Sequence, residues 1–388
     1  VIDEKLKGWA TLRQSDIIDA VNKHGSQRAA AKALGVHHTT VEQAIAGVKK
    51  RAALQGYTPE DDQSFVQSPL VLRGKSTLYG PDGEKKLEWV KTQLDRALAV
   101  EAIEEWVAWL TQDAKGLAPA IPAPAYTTDE IMAVYPMGDP HFGMYAWGKE
   151  TGKPFDLDIA ERLTKGAIDR LVASAPPTKT ALILELGDFF HADNNSGRTV
   201  QSGNALDTDS RWQKVMQIGL RVMVYVIQRT LEKHENVVVR IVQGNHDPHS
   251  SIALALALDA YFSKETRVKV DLSPAAFWYY RFGKVLIGTT HGDTCKTDKL
   301  PGIMATDRPQ DWGASEFRYF YHGHIHHDSV KEFPGCMVES FRTLAARDAW
   351  HAGAGYRSGR DMKIIVHHRE FGEVERHRVD IAQLEPSK

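Results

Sequence analysis

Val237-Val238-Val239-Arg240-Ile241-Val242-Gln243-Gly244-Asn245-His246-Asp247 joins a short β-branched apolar run to a turn made of polar side chains. Five such residues and one arginine, bounded by a turn signal, read as a buried strand. Glycine permits the sharp turn, and Asn, His and Asp then leave the strand in succession. In α/β proteins ligand-binding and catalytic groups gather at the carboxyl ends of strands. The meaning of Gly244–Asp247 therefore depends on what the other strand ends carry.

They carry the same chemistry. Ile131-Met132-Ala133-Val134-Tyr135 runs into Met137-Gly138-Asp139-Pro140-His141, and Thr180–Leu186 into Gly187-Asp188. Val285–Thr289 is followed by His291-Gly292, and Phe317–Tyr321 by Gly323-His324-Ile325-His326. Helices are expected over 156–173, 211–233 and 250–262. Strands are expected over 277–282, 284–290, 318–322, 329–333, 336–341, 363–368 and 374–380. Strand–helix alternation followed by paired strands implies layered sheets between helices. A single Asp-x-His or His-x-His is weak; five ordered strand ends bearing O and N ligands form a strong signal.

In front of this region lies a different kind of sequence. A helix is expected over 11–22, beginning at Ser15/Asp16 and ending near Gly25. Gln27–Ile45 then reads as a helix-turn-helix. Ala31 is small where two helices approach, Gly35 sits at the turn, and Leu34, Val36, Val41 and Ile45 would pack the pair. The second helix would start near His38-Thr39, with His37, His38, Thr39, Thr40 and Gln43 outward. Residues 1–51 hold nine Lys/Arg against five Asp/Glu. That local surplus suits phosphate contact and a helix in the DNA major groove. The candidate DNA-binding residues are Arg28, Lys32, His38, Thr39, Thr40 and Gln43; a small helical module for protein assembly is the alternative.

Residues 56–82 suit a linker or wing, with a short hairpin around Leu70–Tyr79 and the turn Gly80-Pro81-Asp82-Gly83. A long helix is expected from Glu84 to about Lys115, carrying Trp89, Trp106 and Trp109 and offering a surface for oligomerisation. Gly116–Ala125 is a Pro/Ala spacer. The expected domains are 1–56 (helix-turn-helix), 57–130 (helical linker and spacer) and 131–388 (catalytic).

Composition excludes several classes. Hydrophobic residues make up 42% and charged residues 25%, with net charge −2, which argues against a disordered or fibrous chain. Cys295 and Cys336 are too few for a disulfide framework, and no apolar run approaches the ~18 residues of a membrane span. A cytoplasmic protein is the expectation, with the compositional impression of a phage or prophage origin. The 17 histidines, several of them after residue 240, direct attention to metal.

The five strand-end motifs resemble those of the calcineurin-like metallophosphoesterase superfamily: D-x-H, G-D, G-N-H-D/E, H and G-H-x-H, in order between residues 138 and 326. The resemblance covers about 131–380. It implies a four-layer α/β/β/α sandwich holding two metal ions in its loops, here preceded by the small all-α domain and linker. One ion would take Asp139, His141, Asp188 and His326; the other would take Asp188, Asn245, His291 and His324, with Asp188 bridging. His246 would be the catalytic histidine and Asp247 the group that orients it.

Chemistry agrees with that distribution. Carboxylate and imidazole ligands suit Mn2+ first, with Fe or Zn as alternatives, rather than Ca2+. Two close cations need a shared anionic ligand, and water bound to them is acidified toward a pKa of ~7. The leaving alkoxide needs a proton, which His246 would supply. Arg342 and Arg347 are candidate phosphate contacts. The polar stretch Asn194–Arg211, with Arg198, Gln201, Asn204 and Arg211, is a candidate lid.

Members of the superfamily include protein phosphatases, nucleotide phosphodiesterases and SbcD-like DNA nucleases. The basic helix-turn-helix favours DNA as substrate and docking partner, hence an exo- or endonuclease. The alternative is a small-molecule or protein phosphomonoesterase whose front helices serve assembly. A third reading, a DNA-binding regulator with a vestigial metal domain, fits poorly with a complete ligand set. SbcD-like nucleases carry their extra domain after the catalytic one; here the DNA module stands in front, so their capping functions do not transfer.

Overall fold

The computed structural model describes residues 2–54, 70–79, 85–94, 116–200 and 202–385. The chain divides into two compact units, Val1–Glu105 and Trp106–Lys388.

The first unit begins with three helices, α1 (Leu12–His24), α2 (Gln27–Leu34) and α3 (His38–Leu54). The start of α1 lies four residues earlier than Ser15/Asp16 suggest, because Thr11 forms a capping box with Gln14. Ser26 caps α2 by accepting from Ala29 N–H, and Gly35 ends it in the left-handed region. Ile17, Val21, Ala30, Ala31, Val41 and Ile45 form the core where the helices meet. Leu34 does not join them; it is 40% exposed, since its helix turns it to solvent.

Two strands follow, β1 (Leu70–Tyr79) and β2 (Lys85–Leu94), paired antiparallel with Leu70 opposite Leu94 and Leu78 opposite Leu87. The helix expected from Glu84 is therefore overturned over 85–94. The expected short hairpin within 70–79 is one strand of a larger pair, and the turn expected at Gly80–Gly83 lies outside the described residues. Long-range pairing with β1 overrides the helix-like spacing of Leu87, Val90 and Leu94. The remaining part of that expected helix, with Trp106 and Trp109, lies outside the described residues, as does Gln201.

The second unit stacks two sheets. The first contains β3 (Thr128–Met137), β4 (Thr178–Glu185), β5 (Asn236–Ile241), β6 (Val268–Asp271), β12 (Asp361–His368) and β13 (Gly372–Asp380), ordered β13-β12-β3-β4-β5-β6. The second contains β7 (Trp278–Phe282), β8 (Val285–Thr289), β9 (Phe317–His322), β10 (Ser329–Phe333) and β11 (Cys336–Ser340), ordered β10-β11-β9-β8-β7.

Alternation along the strands explains the layers. Met132 and Val134, Leu182 and Leu184, Val285 and Ile287, and Tyr319 and Tyr321 share one core between the sheets. The intervening Leu286 and Phe320 face outward onto Leu300 and Met304 of α8 (Leu300–Asp307). Helices α5 (Leu157–Ser174), α6 (Trp212–Leu231) and α7 (Ser250–Tyr261) pack on strands of the first sheet. Short helices α4 (Gly148–Thr151), α9 (Pro309–Ala314) and α10 (Ala349–Gly353) lie in the connections. The result is the expected α/β/β/α sandwich. Residues 117–127 carry no helix or strand, and this spacer lies along the end of α7, where Ala260 O accepts from Gly116 N–H.

β3, β4 and β5 run parallel in one sheet and β8 and β9 parallel in the other, so their carboxyl ends share edges. A bridge between Gly138 and Thr343 follows from β3 to the end of β11. β6, α8 and α9 were not expected from sequence. β6 is four residues long, and α8 and α9 lack the polar–apolar periodicity of a surface helix.

Candidate metal centre

The turns that end β3, β4 and β9 are bent into an unusual conformation. Among the described residues six non-glycines have positive φ, and five are Asp139, His141, Asp188, His324 and His326. Such backbone costs about 1–3 kcal/mol per residue and concentrates at functional sites. Gly187 has φ of 95°, and Gly244 lies against the Asp188 backbone where no Cβ would fit. The strain swings these side chains off their strands and toward one point.

They arrive in two clusters. Ligand atoms of Asp139, His141 and His326 all lie within 4.8 Å of one another, as do those of Asp188, His291 and His324. Asn245 joins the second, its Oδ1 3.0 Å from His291 Nε2. All seven candidate ligands are thus brought together in the two expected groupings, with Asp188 tightest to the second. His141 Nε2 is 3.1 Å from His326 Nε2. Asp139 accepts from His324 N–H at 2.8 Å, which ties the first cluster to a turn of the second, and Asp188 accepts from His246 N–H at 2.8 Å, which ties it to the turn that carries Asn245.

The hydrogen-bond accounting is what fits a cation. His291 Nδ1–H donates to Leu186 O at 2.8 Å, so in the neutral ring Nε2 is a lone pair. That lone pair faces Asp188 Oδ2 at 3.2 Å and Asn245 Oδ1 at 3.0 Å, three acceptors aimed at one another. Asp139 Oδ2 is buried without a hydrogen-bond partner. Buried acceptors in this state are costly unless a positive charge sits among them. Without one, the imidazole must take the charge. Burial opposes that, but the Asp188 and Asp139 carboxylates outweigh it and hold His291 well above the ordinary histidine value. Burial and neighbouring imidazoles hold His141 well below it.

His246 stands beside the clusters, its ring centroid 5.0 Å from that of His141. Its Nδ1–H donates to the His191 carbonyl at 2.8 Å, leaving Nε2 as the outward nitrogen. Asp247 does not orient it, contrary to expectation. Its two carboxylate oxygens accept from Gly244 N–H at 3.1 Å and Phe190 N–H at 3.0 Å. Asp247 thus clamps the two turns that carry Asn245 and Asp188. Burial and the Asp188 charge raise its pKa well above the usual carboxylate range.

The His191 ring is buried against His141, with Nδ1 atoms 3.3 Å apart, and His141, His191 and His246 form a third close group. The orienting part of His191 is its main chain, which no side-chain pattern reveals. Arg342 and Arg347 are not available as phosphate contacts. Arg342 is bonded to Asp361 at 2.7 Å, and Arg347 to Tyr356 O at 2.9 Å and Thr151 O at 3.4 Å.

A cleft of about 610 Å³ opens onto Asp188, His246, His324 and His326. Thr199, Asn204, Ala205 and Leu206 also line it, with Thr199 N–H donating to Asn204 O at 3.0 Å. So do Asp348, Trp350, His351 and Tyr356, which sequence reading passed over. In the first unit Arg28, Lys32, Thr39, Thr40 and Gln43 are exposed, and His38 is half-buried. His37 Nδ1 lies 2.9 Å from Thr39 Oγ1 at the start of α3.

No family model and no curated protein matches the chain. Solved structures do. A Vps29 complexed with zinc from Entamoeba histolytica matches at 14% identity and TM-score 0.28, covering 64% of this chain and 99% of that one. A dimetal phosphatase from Danio rerio matches at 8% identity and TM-score 0.34, with 64% and 98% covered. A Streptococcus pneumoniae protein described as a predicted phosphoesterase matches at 11% and 0.26, with 64% and 98% covered. Two stacked sheets, with parallel strand ends delivering their side chains in the order D-x-H, G-D, G-N-H-D, H and G-H-x-H, are the architecture the sequence resemblance implied. The chain folds as an α/β/β/α sandwich whose strand-end side chains gather in the two groups that its resemblance to the calcineurin-like metallophosphoesterase superfamily implied.

Proposed function

We propose that the chain is a dinuclear-metal phosphodiesterase that cleaves DNA. The convergence of Asp188, Asn245 and the His291 lone pair, beside the unpartnered oxygen of Asp139, carries this reading. Asp139, His141 and His326 would hold one divalent ion, and Asn245, His291 and His324 the other, with Asp188 shared. Mn2+ is the first choice, with Fe or Zn as alternatives. Such a pair supplies a nucleophile at neutral pH and neutralises the phosphoryl oxygens.

The chain's own residues do the rest. His246 donates a proton from Nε2 to the leaving oxygen, its ring held by the His191 carbonyl. Asp247 keeps the Asn245 and Asp188 turns in register through two backbone amides. Asp139 fixes the His324 turn and Asp188 the Asn245–His246 turn by accepting from His324 and His246 N–H. Arg28, Lys32, His38, Thr39, Thr40 and Gln43, on α2 and α3, would dock duplex DNA and raise the local concentration of substrate.

The test is a panel of single-stranded, blunt, nicked and circular DNAs with Mn2+. Cleavage that disappears in EDTA is the expected result. Turnover of p-nitrophenyl phosphate with every DNA intact would instead point to the phosphomonoesterase. For docking, Lys32→Gln in the full chain should reduce the salt slope of duplex binding by about one unit; an unchanged slope removes Lys32 from the interface.

A further inference from the structure

A ladder of aromatic rings leads from the metal centre to the outside. His351 stacks on the candidate ligand His326, with centroids 4.9 Å apart and planes at 21°. Tyr356 lies 5.1 Å from His351, and Trp350 packs edge-on to it at 4.9 Å. Trp350 and Tyr356 are themselves 5.7 Å apart, with planes at 37°. The inner ring is fixed, because His351 Nδ1 and N–H both bond Asp348 Oδ1, at 2.8 and 2.7 Å. The outer rings are open: Trp350 is 66% and Tyr356 39% exposed.

Large aromatic faces left in water beside a cleft mark a binding surface. The packing of the unit does not require Trp350 to stand there, and Arg347 and Arg357 hold the Tyr356 main chain in place through its carbonyl. The same cleft is lined by the exposed Asn204. An aromatic wall, a polar wall and a phosphoester-cleaving floor suit a nucleotide unit: ring to base, amide to base edge, metal to phosphate.

Resting on the phosphodiesterase reading, we propose that Trp350 and Tyr356 form a base-stacking subsite that admits single-stranded nucleic acid, receiving the base next to the scissile phosphate. Only an unpaired, splayed base can offer its face to rings at the mouth of a cleft. The subsite therefore selects strand ends, gaps and loops over intact duplex. Docking by the front helices and cleavage at the sheets then read different parts of one DNA.

The experiment uses the full chain and two small phosphodiesters, thymidine 5′-(p-nitrophenyl phosphate) and methyl p-nitrophenyl phosphate, with Mn2+. The wild type should prefer the base-bearing ester through KM, by about ten-fold for one stacked base. Trp350→Ala/Tyr356→Ala should abolish that preference, and Trp350→Phe should keep it. In EDTA, the trinucleotide d(TTT) should quench tryptophan fluorescence of the wild type but much less that of Trp350→Phe. Equal KM for the two esters in the wild type overturns the subsite, as does quenching that survives in Trp350→Phe. Failure to hydrolyse either ester while the quenching behaves as expected would overturn the phosphodiesterase reading and leave the stacking surface standing.

Discussion

The sheet unit holds two polar clusters, and they are built in opposite ways. At the outer strands β10 to β13, acids and bases alternate. Glu339 meets Arg376 and Lys363, Asp328 meets Lys363, Arg342 and Arg378, and Asp361 meets Arg342 and Arg378. Arg376 also pairs with Glu373 at 2.7 Å. Four carboxylates face four cations, so the charge closes without outside help. At the strand ends, Asp139, Asp188, Asn245 and His291 converge with neither lysine nor arginine among them, and the backbone is strained at Asp139 and Asp188. The balanced cluster is a strut between strands. The unbalanced one is a receptor for positive charge.

That contrast can be broken most severely at Asp188. Asp188→Ala removes the shared anion and should reduce phosphodiester hydrolysis to background, with loss of tight metal binding seen by calorimetry. Asp139→Asn gives the subtler signature: it removes a buried charge, one oxygen of which has no hydrogen-bond partner. It should melt above the wild type in EDTA and below it in Mn2+. The wild type gains about 2.7 kcal/mol at a hundredfold excess of metal over Kd. A wild type whose melting ignores Mn2+ would end the metal assignment.

His246→Ala should lower turnover by about 10²–10⁴-fold while calorimetry finds both metals still bound. With a p-nitrophenolate leaving group, which departs without a proton, the loss should shrink. An equal loss for alkyl and p-nitrophenyl esters would mean that His246 is not the proton donor.

The balanced cluster should respond in stability alone. Glu339→Gln removes the buried charge that Arg376 and Lys363 share, while Glu373 and Asp328 remain beside them, and should cost about 1.5–3 kcal/mol in urea unfolding, with metal affinity unchanged. A shift in metal affinity would show that the clusters are coupled.

The smallest effect concerns two buried histidines outside both clusters. His234 lies 2.8 Å from Tyr135 Oη, and His367 lies 2.9 Å from Tyr321 Oη. Burial presses each down to about 3 from the ordinary 6.5. In the folded chain both stay neutral, while the unfolded chain takes up protons below pH 6.5. Their contribution to stability is present above that pH and is lost as pH falls from 6.5 toward 3. Melting temperature should therefore decline over that window, and His234→Gln should flatten the decline. An unchanged slope would show that His234 does not contribute.

The strand-end motifs were legible because each needs only a local pattern: an apolar run, a turn and a ligand. The run Val237–Val242 and its turn place Asn245 and His246 without knowledge of anything distant. The same local rules found Gly35 between α2 and α3, but they failed for Glu84–Leu94. There the sequence satisfies helical and strand spacing alike, and only pairing with Leu70–Tyr79 chooses between them.

Relations between distant groups needed the tertiary structure. Asp247 follows His246 in sequence, yet its carboxylate binds the Gly244 and Phe190 amides, and the carbonyl of His191 orients the imidazole. Arg342 resembles a phosphate ligand until Asp361 is beside it. Trp350 and Tyr356 look like ordinary aromatics until His351 stacks on His326. Residue types and their order determined which ligands the chain possesses, because those are covalent facts. Which oxygen faces which nitrogen, and which charge lacks a partner, depended on packing two sheets together, since contact across about a hundred residues of chain is decided by the fold.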